Sequence, residues 1–329
     1  MRDRNHNHAE TVNPDEPEQM LPPEAAIADD HRNPRRGQRP PPPEVGTLIR
    51  TTPRDELDSL VLHEDVTNDL LSGLRAIELR EELDEVWNIS EVEPQDGRCI
   101  LNFFGDPGTG KTRAALAVAR RLSKPLYQVD YAAIISKYLG DTAKHITLAF
   151  QMAESYDAVL FFDEADSLLS KRADMNESCA TSINQNRNVL MQCLDRFNGV
   201  VIMTTNLFQN YDPAILRRIA KHIQFRLPDG EMRRRLFELH LPKRDRVEAN
   251  WPEVARISKG LSGGDIKNVC LNSIYAGSMA DNSADWKITQ AILLAEIEKI
   301  KEAKRQHREG NVHRPPLGFC SRPDSGELD

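Results

Sequence analysis

Residues 105–112 read GDPGTGKT and fit the pattern G-x-x-x-x-G-K-[ST] in full. An apolar run, CILNFF (99–104), precedes them, and a helical pattern, TRAALAVARRL (112–122), follows. Strand, loop and helix in that order are the context the pattern requires. Gly105, Gly108 and Gly110 let the loop wrap closely with positive φ. Backbone N–H groups and the helix N-terminus then face phosphate oxygens. Lys111 is expected to reach the β- and γ-phosphates, and the Thr112 hydroxyl to coordinate Mg²⁺. The expected nucleotide-binding segment is Gly105, Asp106, Pro107, Gly108, Thr109, Gly110, Lys111 and Thr112. A Gly-rich turn before a helix can arise by chance. The complete motif in this context makes that explanation a poor one.

The rest of the chain supports an α/β reading. Strands are expected at PLYQVD (125–130), AVLFFD (158–163), GVVIMTTN (199–206) and HIQFRLP (222–228), with helices near 142–155 and 185–197. Short, nearly all-apolar runs suit strands buried on both faces of a parallel sheet. Strands alternating with helices imply a doubly wound parallel sheet, here of the P-loop NTPase class. Helical spacing also marks residues 66–86, as one helix or two. From about residue 229 the patterns are helical without strands, which predicts a small α-helical second domain. The expected division is an N-terminal arm (1–45), a large α/β domain (46–228), the small α-helical domain (229–308) and a C-terminal tail (309–329). Both ends are rich in Pro and charge and poor in periodic apolar residues, so both are expected to be disordered. Four arginines in the arm (32, 35, 36 and 39) form a short basic patch, read first as a solvated tail.

Composition narrows the function classes. The chain has 329 residues, 39% of them hydrophobic, and a net charge of −8. An acidic balance argues against a general nucleic-acid binder. Five cysteines are scattered without a CxxC pair. That spacing suits neither a disulfide framework nor a zinc site and fits a reducing compartment. No apolar stretch resembles a signal peptide or a membrane span. The protein is expected in the cytoplasm, with no membrane partner.

VLFFDE (159–164) places two carboxylates after a buried strand. An Asp-Glu pair there is as readily a helix N-cap. The order of elements favours chemistry. Asp163 stands 52 residues after Lys111, which leaves room for helix, strand and helix before a neighbouring parallel strand. C-terminal strand ends in such sheets converge on the ligand edge. Asp163 is then expected in the Mg²⁺ shell and Glu164 as the general base for water. Asp166 is read as a cap or surface residue.

With these motifs in order, the chain resembles AAA+ ATPases over about residues 50–305, and within them the AAA subfamily of protein remodellers. The resemblance implies that Asn206, ending VVIMTTN, is sensor 1, placed to orient the water. YDPAILRRIAKHI (211–223) resembles the second region of homology. It lacks a proline-glycine-arginine continuation and is similar to the shorter form of the katanin and spastin clade. That implies arginine fingers at Arg217 and Arg218, reaching the ATP of a neighbouring subunit. SKYLGD (136–141) implies a pore loop of Lys137, Tyr138, Leu139 and Gly140. On spacing alone Tyr138 would be a core residue. LSGGDIKN (261–268) implies that Gly263 and Gly264 approach the nucleotide, and Leu60, Val61 and Leu62 lie where the adenine pocket begins.

Architecture resembles the small single-cassette bacterial AAA proteins. The resemblance implies a Mg-ATP-hydrolysing ring, a hexamer of one chain, whose pore loops unfold or remodel a protein substrate. Two alternatives stand beside it: a nucleotide-dependent assembly switch that threads nothing, and a DNA-directed motor. The second would carry a DNA-binding module or a strongly basic balance.

Overall fold

The structure is a computed structural model and describes residues 48–53, 55–88, 91, 98–129, 141–166, 180–206, 211–280 and 286–312. Six strands form one sheet: β1 (Leu48–Thr51), β2 (Cys99–Gly105), β3 (Leu126–Val129), β4 (Val159–Phe162), β5 (Val200–Thr205) and β6 (Lys221–Phe225). Their order is β1-β3-β4-β5-β2-β6. All pairings are parallel except β1 with β3. The parallel core is the doubly wound sheet expected. The antiparallel edge strand β1 was not: its four residues carry too little periodicity to be read without the partner they pair with.

Around the sheet lie α1 (Glu64–Glu78), α2 (Arg80–Trp87), α3 (Lys111–Arg121), α4 (Asp141–Ser155), α5 (Ala180–Arg196) and the four-residue α6 (Pro213–Leu216). The expected 66–86 segment is two helices, separated at Leu79. Alternation along the strands splits the core in two. Leu101, Phe103, Val159, Phe161 and Ile202 face α1 and α3. Ile100, Leu160, Phe162, Val201 and Met203 face α4 and α5. Period two sends successive side chains to opposite faces, so a sheet covered on both sides needs unbroken apolar strands. The buried face of α3 is mostly alanine, which lets that helix lie close to the sheet.

The chain then leaves the sheet for α7 (Gly230–His240), α8 (Trp251–Ile257), α9 (Gly263–Ala280) and α10 (Gln290–Val312). Asp229 caps α7, its carboxylate accepting the Met232 N–H at 2.9 Å. These helices bury a third core around Phe237, Val254, Ile266 and Ile297. The strand-free reading of this part needs one correction. Val247–Glu248 (β7) and Ile288–Thr289 (β8) form a two-residue parallel bridge, too short to interrupt a helical sequence pattern. Among the described residues, no helix is long and apolar enough to cross a membrane.

The topology sets the site. β2 carries the Gly-rich loop and lies between β5 and β6, while the chain runs on from β2 to β3 on the far side of β4. A ligand in such a sheet binds at the C-terminal strand ends where the order reverses. The ends of β2, β4 and β5 meet there.

Candidate nucleotide site

A cleft of about 420 Å³ opens at that edge. Residues 107–112 of the Gly-rich loop line it. Gly105, Gly108 and Gly110 all have positive φ: 136°, 75° and 102°. At Gly105 a Cβ would stand 1.9 Å from the Phe225 carbonyl oxygen of β6. No side chain can be inserted there without moving backbone. Gly105→Ala is expected to destabilise the protein by at least ~2 kcal/mol, from the strained φ and the clash together, as measured by chemical denaturation. An unchanged midpoint would mean the loop is more plastic than this packing allows.

Lys111 heads α3 and is buried, 9% exposed. Its ammonium donates to the carbonyls of Gly105 (2.7 Å) and Asp106 (3.0 Å) and to Asn206 Oδ1 (2.8 Å). Burial pushes this lysine below its ordinary pKa, and the carboxylates of Asp163, Asp106, Asp166 and Glu164 oppose that shift. One cation thus faces four acids at the strand edge. It also ties the β2 loop to the end of β5, where Asn206 stands.

Asp163 follows β4. It accepts from the Thr112 hydroxyl at 3.2 Å and from the Thr204 hydroxyl at 2.5 Å. A hydroxyl and a carboxylate side by side are hard oxygen donors, the set a Mg²⁺ ion takes with water completing its shell. The donor chemistry therefore fits the metal. Glu164 is exposed in the cleft with its backbone in the left-handed region, φ 51°. Thr204 holds that turn: its hydroxyl accepts the Glu164 N–H at 3.0 Å, and its carbonyl accepts the Ala165 N–H at 2.9 Å. A strained glutamate fixed from two sides is the kind of backbone outlier that gathers at functional sites.

Asp166 is neither a simple cap nor a surface residue. It accepts from the Thr205 hydroxyl and from the Asn206 N–H, the latter at 3.4 Å. It braces the end of β5 against β4. The two threonines before Asn206 carried the signal, since paired hydroxyls in an otherwise apolar strand need buried acceptors.

The helical part closes the cleft. Gly264 N–H donates to the Gly108 carbonyl at 2.9 Å, and Gly263 also lines the cleft. A Cβ on Gly108 would meet Ser262 Oγ at 2.6 Å. Asp265 accepts from the Ser262 N–H (2.8 Å) and hydroxyl (2.9 Å) and from Lys304 of α10 (2.5 Å). Leu60, Val61, Leu62, Met232 and Leu236 give the cleft an apolar side, suited to an aromatic base. His63 and His240 line it as well; neither stood out in the sequence. Burial, then Arg113 and Lys267, pushes His240 below the ordinary histidine range.

Arg217 and Arg218 do not join this cleft. Arg218 is engaged within its own chain. Its guanidinium forks onto Asp195 of α5 at 2.6 and 2.7 Å and donates to the Ala214 carbonyl at 2.7 Å. That pairing raises the arginine and lowers the aspartate from their ordinary pKa values. Arg217 is exposed and has no ion pair with a described residue. The expected pore-loop residues Lys137, Tyr138, Leu139 and Gly140 lie outside the described residues, as do the arm, residues 313–329 of the tail, Cys179 and Cys320. Among the described residues, no cluster of His, Cys, Asp and Glu has metal-site geometry, and Cys99, Cys193 and Cys270 are free thiols.

A glycine cradle with its lysine, a Thr–Asp pair at the adjoining strand end and a helical part closing on the loop define a P-loop nucleoside triphosphatase. Comparison with known proteins narrows the class. Residues 101–227 match the family model "ATPase family associated with various cellular activities (AAA)". A 26S proteasome regulatory subunit 4 homolog B of Arabidopsis thaliana is 34% identical over 239 residues, covering 70% of this chain and 53% of that protein. A probable 26S proteasome regulatory subunit 10B of Caenorhabditis elegans is 32% identical over 281 residues, covering 79% and 68%. A proteasome-activating nucleotidase of Saccharolobus islandicus is 33% identical over 290 residues, covering 82% and 72%. The crystal structure of the FIGL-1 AAA domain superposes with a TM-score of 0.60 at 19% identity, covering 82% of this chain and 93% of that one; it bears on the fold alone. The chain belongs to the AAA family of ATPases. It spans about half the length of the regulatory subunit 4 relatives, at 53% and 52%.

Proposed function

We propose that this chain hydrolyses Mg-ATP as one subunit of a homo-oligomeric ring, a hexamer, and uses the cycle to unfold or remodel a protein substrate in the cytosol. The observation that carries this reading is the division of the catalytic groups. Lys111, Thr112, Asp163, Glu164 and Asn206 converge on one edge, while Arg217 stands exposed away from that cleft. Arg113 and Arg226 also line the cleft, but each is paired within the chain, with Asp55 and Asp65. An arginine free to stabilise the charge developing on the γ-phosphoryl group then comes from a second copy. The names of the relatives, regulatory proteasome subunits and a proteasome-activating nucleotidase, support protein as the substrate class.

The roles follow from position. Loop N–H groups and Lys111 hold the phosphates. Thr112 and Asp163 would hold Mg²⁺, which when bound supplies neutralisation of phosphate charge. Glu164 takes the proton of the attacking water, and Asn206, fixed by Lys111 and by Asp166 through its N–H, orients that water. Tyr138 and Leu139, flanked by Lys137 and Gly140, grip the substrate.

Glu164→Gln tests the chemistry and supplies a trap. It is expected to keep ATP affinity and to lose turnover by about 10³-fold, the scale of a general base. Nucleotide titration and phosphate release measure the two. Normal turnover would remove Glu164 from the base role. The same variant, tagged, is then used for ATP-dependent capture, with Tyr138→Ala added as control. Protein lost from the control supports threading. Protein retained equally by both points to an assembly switch.

A further inference from the structure

Strand β2 lies between β5 and β6 and buries a polar side chain in its middle: Asn102 is 0% exposed. An amide in such a place adds nothing to packing and is costly unless hydrogen-bonded. Its bonds are specific. The Tyr211 hydroxyl donates to Asn102 Oδ1 at 3.1 Å, and Asn102 Nδ2 lies 3.4 Å from His222 Nδ1. An NH₂ group only donates, so His222 Nδ1 is the acceptor. Burial keeps His222 below the ordinary histidine range, which favours the neutral ring that bond requires.

The network has two ends, and each meets a functional element. At one end the Tyr211 phenol oxygen also accepts from the Thr205 hydroxyl, whose single proton is shared with Asp166. Asn206 follows directly. At the other end the His222 ring is hydrogen-bonded to the backbone of Leu216, the last residue of α6. Arg217 comes next. Tyr211 itself precedes Asp212, the N-cap of α6, whose carboxylate accepts the Ala214 N–H at 2.6 Å. Both ends of a four-residue helix are therefore tied to one amide. That amide sits three residues before Gly105, on the strand that carries the phosphate loop.

We propose that Asn102, Tyr211 and His222 form a buried polar relay that positions α6, and with it Arg217, against the Asp166–Thr205–Asn206 edge of the nucleotide site. The three are positioning residues, since none touches the cleft. The inference rests on the reading of Arg217 as a group acting on the neighbouring subunit's ATP. Its geometry explains why polar side chains occupy a core position that apolar ones would fill. Shifts of the β2 and β5 ends around the phosphates are passed to the helix that serves the next site.

Tyr211→Phe removes one hydroxyl and keeps the ring in the core. It is expected to lower kcat about tenfold while leaving KM and nucleotide affinity unchanged, because a small misplacement of a catalytic group costs rate and not binding. On an Arg217→Ala background the same change is expected to cost nothing further. A structural defect would instead lower activity on both backgrounds. Should the orphaned Asn102 unfold Tyr211→Phe, the pair Asn102→Leu with Tyr211→Phe removes that mismatch, leaves only the half-buried His222 Nδ1 without its donor, and is read the same way. Unchanged kcat overturns the relay, as does a loss that persists in full without Arg217. Failure of both variants to fold overturns it too, because the network would then serve the core at large. If Arg217→Ala alone keeps full turnover, the trans-arginine reading fails. If Arg217→Ala loses turnover and Tyr211→Phe does not, only the relay fails.

Discussion

Replacing Lys111 with methionine is expected to weaken ATP binding at least about a hundredfold, with little change in thermal stability. Hydrogen bonds to a charged group contribute ~1.5–3 kcal/mol each, and ~1.4 kcal/mol is a factor of ten. Two phosphate contacts therefore reach that scale. The local field enlarges the effect. Asp163, Asp106, Asp166 and Glu164 all act on this ammonium; without it they would repel a triphosphate. Methionine keeps the apolar stem that packs in the buried position, so no cavity is opened. It also removes the desolvation that burial imposes on the ammonium, which offsets the lost bonds to Gly105, Asp106 and Asn206. Calorimetric titration with a non-hydrolysable ATP analogue and Mg²⁺ separates binding from folding. Unchanged affinity would mean that the loop amides alone hold the phosphates.

What the sequence made legible is what lies in one stretch of chain. GDPGTGKT specifies a loop conformation through glycines six residues or fewer apart. VLFFDE and VVIMTTN announce buried strands ending in polar residues. The rest depends on residues far apart in the chain. Asp166 became a brace only because β5 places Thr205 and Asn206 beside it. Arg217 and Arg218 are adjacent and look equivalent, yet Asp195 on α5 engages one of them. Asn102 is 109 residues from Tyr211 and 120 from His222. Its one local trace was an amide inside an apolar strand, a conflict of the kind that marks function or specificity. β1, β7 and β8 were missed for a different reason: two to four residues are too few for a period to emerge.

Arg217→Ala is expected to lower turnover by about 10³-fold or more, the scale of an arginine acting on phosphoryl transfer, while ATP affinity stays the same. Arg218→Ala is expected to act differently. Arg218 already satisfies Asp195 and the Ala214 carbonyl, so its loss loosens α6 on α5 and leaves Asp195 only the longer pairing with Arg98 at 3.8 Å. Its cost should appear as a lower thermal midpoint with a smaller loss of turnover. The decisive measurement mixes two inactive variants. Glu164→Gln retains Arg217 but lacks the base, and Arg217→Ala retains the base but lacks the arginine. In a mixed ring, a Glu164→Gln subunit can offer its arginine to the intact base of an Arg217→Ala neighbour, and turnover returns. If Arg217 served its own nucleotide, every site in the mixture would still lack one group. A co-assembled mixture that stays inactive would refute action between subunits and leave the exposure of Arg217 without a catalytic reason. Recovered activity would place the complete site at the junction of two copies. Substrate work by this chain would then depend on assembly and not on the ATP-binding fold alone.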